Sequence, residues 1–219
     1  MQIFLTLETY RTGIAFHNEK VITIGVKASY EDKEDTLIWN EWDLGNEMEL
    51  ITKFYNFLND RLNEIDSKNL KFFSKEKDVL ERVFVYGFNI TRFDIPLLIQ
   101  KGVEYNINDL PDMNLMWGNL IVTDYLQLLL TLNRMKYHGL NWNNFARLLV
   151  KAGYKVPKIE ISGREIKELY ENGDYSKIID RVNAKLEVLY QASKFLRSLD
   201  LRWIYSGNSR NFRGRSKRS

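Results

Sequence analysis

The chain has 219 residues, 44% of them hydrophobic and 13% aromatic, which suits one domain with a sizeable core and would crowd two. It holds no cysteine and two histidines, His17 and His138, which excludes disulfides and thiol chemistry and argues against a histidine-built zinc site; any metal would be held by carboxylates. The formal charge of +3 divides unevenly, because Arg210, Arg213, Arg215, Lys217 and Arg218 fall in residues 207–219 with no acid among them, leaving the remainder at −2.

Met1 to Glu8, Gly13 to His17 and Val21 to Tyr30 are rich in Ile, Val, Phe and Thr and are separated by turn signals, so a three-stranded meander is expected. Glu47 to Ile65 spaces Met48, Leu50, Ile51, Phe54, Phe57, Leu58 and Leu62 as one helical face. Arg82 to Ile90 is an almost continuous apolar run of the kind buried on both faces of a sheet. From there the chain is largely helical, over Arg92–Lys101, Tyr125–Leu132, Asn141–Ala152, Gly163–Glu171 and Asp174–Arg197. The fold class expected is α/β: a mixed five-stranded sheet flanked by helices, a helical C-terminal half, and one domain over residues 1–206. Residues 207–219 are too polar and glycine-rich to bury a core and are expected to form a disordered basic tail. Apolar runs such as Leu126–Leu132 fall far short of the ~20 residues of a membrane span, and the start lacks the basic character of a signal peptide, so intracellular, cytoplasmic residence is expected.

Five landmarks carry chemistry. They are Phe4-Leu5-Thr6-Leu7-Glu8-Thr9; Asn89 followed by Phe93-Asp94; Thr123-Asp124-Tyr125 at a strand end; His138 to Leu149; and Gly163 to Ile179 leading into a long helix. In this order they resemble the DEDD superfamily of 3′-5′ exonucleases, an RNase H-like fold. The similarity is to the proofreading domains of family-B DNA polymerases and their stand-alone relatives in archaea, and it leaves an archaeal or viral source open. The resemblance covers residues 1 to 197.

The resemblance implies two divalent ions about 4 Å apart, held by four carboxylates, with an aromatic or histidine four residues before the last. Glu8 and Asp94 match two of those carboxylates. Thr6 stands where a bridging Asp is implied, Arg181 at the aromatic position and Lys185 at the final acid. A different frame puts Asn183 at that acid, and Asp180 would need a five-residue slip. Thr6, Glu8, Asp94 and Lys185 sum to −1, so two divalent ions would leave +3 in a partly buried cleft, where like charges at ~4 Å cost roughly 4 kcal/mol at an effective dielectric of 20. Lys185 is therefore expected to pair with Glu8 or Asp94, and neither metal nor other cofactor is expected.

Plainer readings compete. Glu8 is also a solvated strand-end residue, Asp94 a helix N-cap before Ile95-Pro96, Asp124 a cap, His138 a loop residue, and Trp142, Phe145 and Leu148 or Leu149 core. The leading expectation is a catalytically inactive exonuclease-like protein that binds nucleic acid, single-stranded by preference, or serves a replication, repair or RNA-processing complex. Arg210, Arg213, Arg215, Lys217 and Arg218 are the candidate nucleic-acid contacts; if the tail is not the binding element, the alternative is the cleft, with Arg92, Arg181 and Lys185 as phosphate ligands in place of the lost ions. Two alternatives stand beside it: an active 3′-5′ exonuclease using Mg²⁺ or Mn²⁺ on Glu8, Asp94 and Asp124, and a protein-binding adaptor without nucleic-acid affinity.

Overall fold

The computed structural model describes residues 1–30, 33–72 and 81–207. They form a five-stranded sheet in the order β3-β2-β1-β4-β5, with β1 Gln2–Arg11, β2 Glu19–Tyr30, β3 Lys33–Asn40, β4 Phe84–Gly87 and β5 Ile121–Asp124. The first three strands run antiparallel as a meander, and β4 and β5 run parallel to β1. This is the RNase H-like α/β arrangement, with helices on both faces of a mixed sheet. The helices are α1 Glu41–Leu44, α2 Glu47–Phe72, α3 Asp94–Glu104, α4 Leu110–Gly118, α5 Tyr125–Leu132, α6 Trp142–Lys151, α7 Ile166–Glu171 and α8 Tyr175–Gly207.

Two expectations about strands are corrected. Residues 13 to 17 form turns and bends between β1 and β2, with Phe16 at φ 67°, and make no strand. The third strand is Lys33–Asn40, whose first four residues are exposed. It lies at the sheet edge, where the charges that disguise it as a loop guard against further pairing. The apolar run from Arg82 pairs only over Phe84–Gly87, and α1 and α4 were not anticipated. The basic tail residues from 208 onward lie outside the described residues; Gly207 itself ends α8.

The pleat decides which side chains meet. Ile3, Leu5 and Leu7 of β1 point to a core shared with α2, α3 and α4, while Phe4 packs with Val182, Leu186 and Leu189 of α8 on the opposite face. Thr6 and Glu8 share the parity of Phe4 and so point toward α8. That helix lies close because Gly25, the partner of Thr6 on β2, has no side chain: a Cβ there would sit 2.3 Å from Val182 Cγ1. Beside Glu8 the register shifts by one residue, a bulge that ends the regular ladder where the candidate site begins.

Candidate functional site

Glu8 is the hub of the site. Its Oε1 accepts from Arg181 Nε at 2.8 Å and lies 2.5 Å from Lys185 Nζ, all three side chains being buried. Arg181 and Lys185 are four residues apart on α8, one turn, so both cations project from the same helix face onto one carboxylate. Of the two partners expected for Lys185, the structure supplies Glu8. Lys185 also donates to the Leu7 carbonyl at 3.2 Å and lies 5.2 Å from the centre of the Trp142 ring. Arg181 Nη1 donates to the Ile161 carbonyl, which ties the loop before α7 to the site. The helix phase that aims 181 and 185 inward leaves Asp180 and Asn183 exposed, on the side away from the buried pair.

Asp94 opens α3 but does not cap it. The N-cap is Phe93, and no side-chain cap bond forms there, which corrects the capping reading. Burial pushes the Asp94 carboxyl up to about 8, with the Glu8 and Asp124 charges adding to the rise and Lys185 opposing it. Lys185 is displaced the other way, downward, chiefly by burial and further by Arg181, against the pull of Glu8. At neutral pH Asp94 is thus mostly protonated.

Asp124 has a different task. It caps α5 through the Leu126 N–H at 2.9 Å and accepts from Asn89 N at 2.8 Å, Thr91 N at 3.1 Å and Thr91 Oγ1 at 2.6 Å. Those bonds pin the turn that leads from β4 to α3. Gly87 permits that turn, since a Cβ there would lie 2.6 Å from Ile90 Cδ1, and Asn89 takes φ 64°, which asparagine tolerates. Asp124 is therefore a helix cap and loop anchor.

The ion pair forms one wall of a cleft of about 600 Å³. Thr6, Asn89, Asp94 and Asn141 also line it, with Trp142 against Phe88 at 4.8 Å. At the mouth, Arg92 donates to Tyr137 Oη at 2.5 Å and lies 5.1 Å from that ring. Trp142, read in sequence as core, packs partly buried against the core cluster and also lines the cleft, and Tyr137 was not anticipated. Trp142 had a signal, as the first residue of an amphipathic helix, whereas Tyr137 sits in an irregular loop without pattern. His138 is an exposed loop residue, and Phe145 and Leu149 are core.

A two-metal centre does not fit these residues. The carboxylate of Glu8 is already shared by two buried cations, Thr6 offers a neutral oxygen, and Asp124 is spent on backbone and hydroxyl donors. Among the described residues no three His, Asp or Glu side chains are grouped to hold a metal ion. An ion entering beside Lys185 would meet repulsion of roughly 4 kcal/mol per unit charge at ~4 Å and an effective dielectric of 20.

No protein-family model matches the sequence, and no curated protein does so either. Among solved structures, the zinc-ion-bound form of the E. coli ExoI–ssDNA complex is similar at a TM-score of 0.42 and 14% identity, over 84% of this chain. The chain spans 41% of that chain's length.

Proposed function

We propose that this protein is a non-catalytic, exonuclease-like nucleic-acid-binding protein, acting as an accessory factor in a nucleoprotein complex. One observation carries the reading: Arg181 and Lys185 close on Glu8 at 2.8 and 2.5 Å, filling with cations the place where the resemblance implies metals. Hydrolysis by two ions needs hard anionic ligands at that place. The cleft beside the ion pair offers instead what a single strand uses, a positive wall with Arg92 at its mouth and the Trp142 and Tyr137 rings as stacking surfaces. The basic C-terminal segment adds phosphate contacts in the same sense.

The test is to incubate end-labelled single-stranded DNA and RNA with the full chain in Mg²⁺ or Mn²⁺. The strand is expected to be retarded on a native gel and to keep its full length. Shortening from the 3′ end that disappears in Glu8→Ala would overturn the proposal.

A further inference from the structure

Along α6 lies a second groove of about 480 Å³, between the helix and residues 156–158, that shares no lining residue with the cleft. Its floor is aliphatic, formed by Ala146, Val150, Val156 and Pro157, and Val150 is 55% exposed. Its rim is cationic: Arg147, Lys151 and Lys158 line it. Lys158 is 3.7 Å from the exposed Glu160, while Arg147 and Lys151 have no acidic partner among the described residues. Phe145, Ala146 and Leu149 seat α6 on the core, which leaves Val150 exposed beside cations of which Arg147 contacts only the neutral Asn144 side chain, at 3.4 Å. The arrangement resembles the receiving side of a helix-in-groove contact, with apolar anchors below and charge at the edges.

We propose that this groove docks an acidic amphipathic segment of a partner protein, with aliphatic side chains against Val150 and Pro157 and carboxylates against Arg147, Lys151 and Lys158. Charge complementarity selects that occupant. The aliphatic floor offers no ring on which a base could stack, which disfavours a nucleic-acid strand, and the chain's own basic tail would be repelled. The site is separate from the nucleic-acid cleft and does not depend on it, although α6 is common to both.

The probe is a fluorescent synthetic helix of about four turns, with leucines at i, i+3, i+4 and i+7 and glutamates on the flanks. It is titrated by anisotropy into the full chain, Val150→Asp and Lys151→Glu at an ionic strength of about 0.15 M. Both substitutions are at exposed positions, and the tail cations are the same in all three proteins, so attraction to the tail cancels in the comparison. The expected result is binding weakened at least tenfold in both variants. A control peptide with serine for leucine should bind all three proteins alike. Equal affinity of the leucine peptide for all three proteins overturns the proposal. So does a result in which the variants lose oligothymidylate instead, or in which the wild-type chain alone dimerises and ignores the peptide. Oligothymidylate binding unchanged in the variants is the expected companion result, and it keeps failure here distinct from failure of the cleft reading.

Discussion

At the scale of single residues, Glu8 is one anion between two buried cations, and that asymmetry makes its removal costlier than removal of either partner. Lys185→Met leaves Glu8 paired with Arg181, so the loss should lie near the lower end of the range for breaking a buried pair, about 3 kcal/mol. Glu8→Ala strands Arg181 and Lys185 together and should lose more. Denaturant midpoints of the two variants check the order; an unchanged midpoint in Lys185→Met would mean the side chain contributes no net attraction. Asp94 gives a pH signature. Its carboxyl rises from 3.8 to about 8 in the fold, so between those values the folded state holds a proton the unfolded chain has released. Stability must then fall as pH rises through that window, by at most about 1.4 kcal/mol per pH unit, and level off above it. Asp94→Asn should match the wild type near the bottom of the window and exceed it at the top, as read by thermal unfolding at each pH. Parallel profiles would show that Lys185 keeps Asp94 ionised.

At the scale of elements, the site depends on two single-residue devices. Gly25 lets α8 approach β2 closely enough for Arg181 and Lys185 to reach Glu8. Asp124 fixes the β4–α3 turn with three hydrogen bonds and caps α5 with a fourth. Asp124→Ala removes the cap and leaves the Asn89 and Thr91 amides without their acceptor, at a cost of about 2 kcal/mol or more. Hydrogen exchange should show those amides losing protection ahead of the β1–β2 ladder. Asp124→Asn keeps one acceptor oxygen and should fall between.

At the scale of the whole molecule, charge is distributed rather than accumulated. The body is slightly acidic, and residues 207–219 supply five cations. If those cations contact phosphates, log K for a single strand should fall with log salt at a slope of up to about −3.5, from roughly −0.7 per contact. Deletion of the segment should remove most of that slope and most low-salt affinity. Equal affinity with and without it would assign binding to the cleft and Arg92. Among the described residues no helix is long and apolar enough to cross a membrane.

The α/β class and the long helices were legible in sequence because periodicity is local and one-dimensional, whereas Glu8, Asp94 and Lys185 were singled out only by the resemblance. β3 was not legible, since an edge strand shows its charges to solvent and hides its pairing. The clustering of Arg181 with Lys185 on Glu8 follows from helix phase once α8 is known, yet how closely they approach depends on a glycine on another strand. Asp94's raised pKa and Asp124's second role as an anchor of the β4–α3 turn are decided by burial and by amides distant in sequence. The cationic groove beside α6 likewise exists only where residues 156–158 return against the helix. Sequence by itself determined which groups are present and which face each takes; the tertiary structure alone decided which of them meet, because desolvation and pairing depend on distances that chain order does not specify.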